Sequence, residues 1–207
     1  MSFWRRSVLV VLLAGVACSC DLFSTRSPDP PGNGTTFLWT PATSITTLLA
    51  DFQGALQAAD AANYAKSMIV GTDSLETGGT ATYQFIPRSG IDKTLFTGWT
   101  VQSEQGYLTK MLTVLPKSPK LTLLLTNESI NQANATNGSV TADYSLLLPV
   151  DASSGVPQNV VGSLQFQVAL VTTEQATKEW RIVSWTDIAS SQSGTLSWTD
   201  LKSKLSS

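Results

Sequence analysis

The chain contains no histidine, and its only two cysteines are Cys18 and Cys20. Without histidine, Ser-His-Asp and Cys-His nucleophile systems, histidine metal sites and the usual general base at neutral pH are excluded. A zinc site in the remainder of the chain would need carboxylates alone. Phosphate-loop, dinucleotide-binding and calcium-loop spacings are also missing from the sequence. The sequence therefore predicts no metal and no cofactor, and it assigns no catalytic residue.

Charged residues are scarce as well, at 14% of the chain, and the formal net charge is −2. No cluster of lysine and arginine occurs, which argues against nucleic acid as a partner. The hydrophobic share is 42% of 207 residues, which is enough for one domain with a substantial core.

The first residues have the pattern of an export signal. Arg5 and Arg6 form a positive region, and the apolar run Ser7–Ala17 is too short to span a bilayer but typical of a signal peptide. We predict a signal peptide over residues 1–19. The stretch from 20 to 42 contains SPDPPGNG, which cannot bury a core and predicts a flexible tether before a domain at 43–207.

Small residues precede each cysteine in the stretch Ala17-Cys18-Ser19-Cys20-Asp21. This stretch resembles the lipobox of bacterial lipoproteins, in which the cysteine is lipidated and becomes the mature N-terminus. The resemblance implies lipidation of Cys20, with Cys18 as the alternative. A lipid anchor would hold the protein on a membrane of the bacterial cell envelope, on its periplasmic or outer-surface side.

Helical periodicity dominates the first half of the domain. Apolar residues recur at helical spacing over Ile45–Ala59, with Ser44 or Thr43 as the cap. Shorter patterns predict helices at Ala61–Met68, capped by Asp60, and at Trp99–Leu115, with a strand at Thr80–Ile86 between them. The period then changes to two, which predicts four strands: Leu121–Leu125, Val140–Leu148, Val161–Thr173 and Glu179–Ile188. A short capped helix follows from Ser197.

The stretch Lys178–Asp187 predicts a central strand around which the sheet is organised. By simple alternation, Trp180 and Trp185 face opposite sides of this strand. Two buried tryptophans on opposite faces would require apolar cover on both sides.

Helices followed by an antiparallel meander indicate an α+β fold. The segments Phe52–Tyr64 and Trp180–Asp187 resemble the nuclear-transport-factor-2-like (NTF2-like) superfamily, including its polyketide-cyclase-like and ketosteroid-isomerase-like members. With the DLFSTRSPDPP tether, they are also similar to a group of bacterial envelope lipoproteins. The resemblance implies a cone in which the N-terminal helices pack inside a curved antiparallel sheet. The resemblance also implies that an enzyme of this fold would commonly use an Asp inside the cone, often with a Tyr or a His.

Glu104 is the acid that the sequence singles out, because it lies within the apolar stripe of its helix, between Val101 and Leu108. Burial would raise the pKa of its carboxyl and make it a base. In a structural role, Glu104 would instead pair with Arg181 or Arg88, or the helix would be rotated so that Glu104 reaches water. A candidate pocket combines Glu104 with Tyr107, Tyr64, Trp99 and Trp185. Two other acids, Asp143 and Asp187, are expected to be solvated or turn-forming.

Two functions are consistent with these observations. The first is a non-catalytic, lipid-anchored binding or assembly module whose partner is a small apolar ligand or another envelope protein. The alternative is a lyase or isomerase with Glu104 as base and a tyrosine as hydrogen-bond donor. An open pocket onto which both groups converge favours the enzyme, and a cone filled by side chains favours the module.

Overall fold

A computed structural model describes residues 37–116 and 120–206 of the chain. The predicted signal peptide, both cysteines and the tether up to residue 36 lie outside the described residues. Within the described ranges, no helix is long and apolar enough to cross a membrane.

The described residues form four α-helices: α1 (Ile45–Gln57), α2 (Ala61–Lys66), α3 (Val101–Val114) and α4 (Trp198–Leu205). Two short 3-10 helices, Lys93–Phe96 and Ala152–Ser154, lie in loops. Ser44 caps α1, because its Oγ accepts the backbone N–H of Thr47 at 3.0 Å. Asp60 caps α2 through the backbone N–H of Asn63, also at 3.0 Å. The predicted helices are confirmed, with ends that differ by a few residues.

In the described part of the chain, six strands form one sheet: β1 (Ser74–Leu75), β2 (Gln84–Ile86), β3 (Thr122–Asn131), β4 (Asn137–Leu147), β5 (Asn159–Thr172) and β6 (Lys178–Ala189). The order is β2-β6-β5-β4-β3, with β1 paired to the end of β5. The predicted α+β class, with helices and a curved sheet, is confirmed. The sheet is mixed rather than antiparallel, because β2 runs parallel to β6. The β2 strand is also shorter than the predicted Thr80–Ile86.

A β-bulge in β6 corrects the prediction for its two tryptophans. Trp185 pairs with Phe166 and Trp180 pairs with Leu170, but Val183 has no partner on β5. The extra residue shifts the alternation by one position, so both tryptophans project to the same face of the sheet. Both are buried there. The prediction that they face opposite sides is therefore wrong.

The face that carries these tryptophans packs against α1. The Phe52 ring of α1 lies 5.3 Å from the ring of Phe166 and 5.7 Å from that of Trp185. It also contacts Tyr64 of α2 at 5.4 Å and Trp198 of α4 at 6.2 Å. Edge and tilted ring contacts at these distances are favourable beyond the apolar area that they bury. Phe52 thus joins three helices and the sheet in one core.

The segment before α1 also packs on the domain. The ring of Phe37 lies where a side chain at position 54 would be, so Gly54 in the middle of α1 permits this close approach. The carbonyl of Ala42 accepts the backbone N–H of Trp180 at 2.8 Å. Residues from Phe37 onward therefore contribute to the fold.

We expect Trp180→Ala and Trp185→Ala each to lower the free energy of unfolding by about 3–5 kcal/mol, because each leaves a cavity in a packed core. Denaturant titration measures this change. The matched control is Ile188→Ala on the same strand, where the side chain is about half exposed and the change should stay within about 0.5 kcal/mol. Tryptophan variants as stable as the control would refute the packing described here.

Candidate functional site

The carboxylate of Glu104 is the centre of a buried polar cluster. Its Oε1 accepts hydrogen bonds from Tyr83 Oη at 2.8 Å, Trp99 Nε1 at 2.8 Å and Lys202 Nζ at 2.6 Å. Its Oε2 accepts a hydrogen bond from Tyr64 Oη at 3.0 Å. Glu104 and Lys202 have no exposed surface. Four donors therefore satisfy an acid that has no access to solvent.

The position of Glu104 follows from the way in which α3 begins. Thr100 caps the helix, and its hydroxyl accepts the backbone N–H of Ser103 at 3.4 Å. Glu104 then lies on the inner stripe with Val101 and Leu108, as the sequence pattern predicts. Trp99, directly before the cap, points its indole N–H back at the carboxylate.

Lys202 of α4 places its ammonium group among aromatic rings. Its Nζ lies 3.6 Å from the ring centroids of both Phe85 and Trp185. The rings of Trp99 and Tyr107 lie at 5.8 Å and 5.7 Å. All four distances are within the range of cation–π attraction. We call Glu104, Phe85, Trp99, Tyr107 and Trp185 together the ammonium cage.

Burial shifts the protonation equilibria of the groups around the cage. It lowers the pKa of Lys202 to about 8, although the charge of Glu104 favours the ammonium form. Burial raises the pKa values of Tyr64 and Tyr83 well above their usual range, and the Glu104 charge raises them further. Both phenols consequently stay protonated at neutral pH and act as donors.

The structure brings the five candidate pocket residues together. Glu104, Tyr64 and Trp99 are joined by hydrogen bonds, and Trp185 and Tyr107 contact the Lys202 ammonium as cage walls. All five residues are buried, so they lie in a closed interior rather than around an open pocket.

The predicted ion-pair partners of Glu104 are wrong. Arg88 binds Asp200 at 2.7 Å and Arg181 binds Glu179 at 2.7 Å, whereas Lys202 pairs with Glu104.

Sequence reasoning missed the role of Lys202. It lies four residues after Trp198 and three before Leu205, both of which are buried. This spacing puts Lys202 on the apolar face of α4, and the periodicity could have identified it.

Asp187 fixes the start of α4. Its carboxylate accepts Tyr144 Oη at 2.6 Å and the backbone N–H of Thr199 at 2.7 Å, while the Tyr144 hydroxyl accepts the backbone N–H of Trp198 at 2.8 Å. Asp187 is buried, so the expectation that it is solvated is wrong. Asp143 lies in a more open site, where hydrogen bonds from Ser163 and Asn127 lower the pKa of its carboxyl.

A second charged cluster surrounds Arg181 on β6. Its guanidinium contacts Glu179 at 2.7 Å and Asp73 at 3.9 Å, and it lies 5.5 Å from the ring centroid of Trp39. Burial raises the pKa values of Asp73 and of the nearby Asp51. A half-open cleft of about 390 Å³ adjoins this cluster. Three carboxylates, those of Asp51, Asp73 and Glu179, thus surround this arginine beside the cleft.

Two further clefts share Tyr83 as a wall. One has a volume of about 670 Å³ and is also bounded by Phe85 and Trp99, and the other has a volume of about 110 Å³. Neither cleft is lined by Glu104 or Lys202. Among the described residues, no group of three or more Asp, Glu, His or Cys is arranged to hold a metal ion.

Comparison with known proteins yields structural likenesses only. No family model matches the chain, and no curated protein is significantly similar in sequence. An NTF2-like protein of unknown function in nutrient uptake from Rhodospirillum rubrum is 14% identical, with 71% of this chain and 98% of that chain covered and a TM-score of 0.46. A ketosteroid isomerase-like protein from Erwinia carotovora is 9% identical, with 72% and 95% covered and a TM-score of 0.45. The beta subunit of benzoate 1,2-dioxygenase from Burkholderia mallei is 10% identical, with 70% and 88% covered and a TM-score of 0.45. Likenesses at this level concern the fold alone.

The ion pair in the cage generates a stability prediction. Glu104→Gln leaves the Lys202 ammonium buried without a counter-charge, so we expect the free energy of unfolding to fall by about 1–4 kcal/mol. Adding Lys202→Met removes the second charge while keeping an apolar chain of similar length. The double variant should therefore be more stable than Glu104→Gln alone.

Denaturant titration of the single and double variants measures both effects. Glu128→Gln is the matched control, because Glu128 is exposed and its replacement should change stability by at most about 0.5 kcal/mol. If Glu104→Gln is as stable as the control or more stable, the pair is not structural.

The tyrosines generate a pH prediction. All four tyrosines of the chain are buried, and burial raises the pKa of each phenol. The phenols of the unfolded chain lose their protons near pH 10, whereas those of the folded chain keep them. The free energy of unfolding should therefore fall as the pH rises above about 10. Phenolate absorbance should appear only together with unfolding, as seen by circular dichroism. A reversible phenolate signal from folded protein near pH 10 would contradict this.

Proposed function

We propose that this chain is a non-catalytic, lipid-anchored module that binds or assembles with another component of a bacterial cell envelope. The observation that supports the non-catalytic role is that the Glu104 carboxylate is buried and fully hydrogen-bonded within the domain. A general base needs access to a substrate proton within hydrogen-bond reach. In this fold both carboxylate oxygens of Glu104 already accept hydrogen bonds, which are donated by Lys202, Tyr83, Trp99 and Tyr64.

The alternative is a lyase or isomerase that uses the cone as its active site. One observation favours it: two tyrosine donors and one buried carboxylate converge, which is the combination that general acid–base chemistry uses. Against it, the space that a substrate would need beside Glu104 holds the Lys202 ammonium. The module remains the better supported function.

The filled interior also bears on the partner. Lys202 and aromatic side chains surround Glu104, so the proposal favours another envelope protein over a small apolar ligand as the partner. Leu124 and Leu147 are about half exposed on neighbouring positions of β3 and β4. Exposed apolar side chains of this kind are covered at protein interfaces. The anchor would be the lipid on Cys20, or on Cys18, which holds the domain at the membrane through the tether.

The proposal is tested by intact-mass analysis of the protein from the membrane fraction of its bacterial host. We expect residues 1–19 to be absent and Cys20 to carry diacylglycerol. Cys20→Ala should release the domain from the membrane fraction, whereas Cys18→Ala should not. Lipid on Cys18 would exchange the roles of the two cysteines. A mature protein that is soluble and carries no lipid would contradict the proposed anchoring.

A further inference from the structure

The ammonium cage has the composition of a ligand site rather than that of a core. Two rings contact the Lys202 ammonium face-on at 3.6 Å, and a carboxylate oxygen lies 2.6 Å away. Aromatic walls combined with an acid are the chemistry by which proteins recognise alkylammonium groups. A packed core gains little from such a group, because burying the two charges removes them from water and an apolar pair of equal volume is commonly as stable.

The ammonium is carried by the short helix α4. The helix α4 has eight residues, six of which are buried against the rest of the domain. It is joined to β6 by residues 190–196, which are mostly exposed and include Gly194 at a φ of +80°. A helix of this length is not stable in isolation. Its helical state therefore depends on its contacts with the cage and the sheet.

Polar contacts at the start of α4 hold it in place independently of Lys202. Arg88 binds Asp200 through two hydrogen bonds, at 3.0 Å and 2.7 Å. Asp187 accepts the backbone N–H of Thr199 at 2.7 Å. These contacts lie one turn before the lysine side chain enters the cage. The helix can therefore stay docked when the Lys202 side chain is shortened.

We propose that the cage formed by Glu104, Phe85, Trp99, Tyr107 and Trp185 is a binding site for alkylammonium groups, and that Lys202 of the docked α4 is its built-in occupant. The inference goes beyond the proposed function, because it assigns a ligand class to an interior that the docked α4 closes. A free alkylammonium would bind where the lysine side chain has been removed or withdrawn. In the docked state the chain blocks its own site.

The test uses the full-length chain with Lys202→Ala, which removes Cγ, Cδ, Cε and the ammonium. The probe n-propylammonium has the same atoms as the missing part, and 1-propanol is its uncharged analogue of similar size. Thermal unfolding midpoints are measured against the concentration of each probe, at constant ionic strength kept with sodium chloride. We expect a saturable rise with n-propylammonium and an apparent Kd at least about tenfold lower than that of 1-propanol.

Three matched variants show where the probe binds. Lys204→Ala removes an exposed lysine from the same helix and should not respond to the amine. Lys202→Met fills the cage with an uncharged chain and should not respond either. Lys202→Ala combined with Glu104→Gln should lose the preference for the amine over the alcohol, because the carboxylate that selects the cation has been removed.

If Lys202→Ala does not fold alone, the same probes are added during refolding, and native packing is followed by near-ultraviolet circular dichroism of the tryptophans. Recovery with n-propylammonium but not with 1-propanol supports the inference. Equal effects of the two probes, or no effect of the amine in either format, would overturn it. Such a result would not change the tests of the proposed function, which are the lipid on Cys20 and the stability of Glu104→Gln. The two proposals can therefore fail independently.

Discussion

Burying the ammonium of Lys202 requires a negative charge beside it, and Glu104 supplies that charge from α3. Much of the interior is arranged around this requirement. The carboxylate also accepts hydrogen bonds from Tyr64, Tyr83 and Trp99. The ammonium lies against the rings of Phe85 and Trp185. The pair therefore ties α2, α3, α4 and two strands together. Removal of either charge leaves the other buried without compensation.

Local patterns predicted the four helices and the strands β2 to β6, but not the two-residue strand β1. The helical period of α1 and the alternation along β4 and β5 depend on neighbouring residues, and both predictions are confirmed. The bulge at Val183 depends on pairing with β5, which alternation within one strand does not reveal. The sequence also indicated that Glu104 is unusual. Its partner, Lys202, lies 98 residues away, and only the fold brings the two together.

The same contacts connect the structure to the proposed role. In the proposed role, an interior closed by its own side chains leaves the outer surface of the domain for binding a partner. The helix α4 is part of this core, and in the inference above its Lys202 occupies the ammonium cage. Asp187, Tyr144 and Arg88 hold its start in the docked position.

Acetylation of individual lysines in the folded protein, followed by mass spectrometry of its peptides, tests the closed interior most directly. Lys204 and Lys202 lie on the same short helix, but the first is exposed and the second has no exposed surface. We predict that Lys204 is fully acetylated while Lys202 stays unmodified, and that both react in denaturant. Acetylation of Lys202 at a rate similar to that of Lys204 in the folded protein would contradict the closed interior.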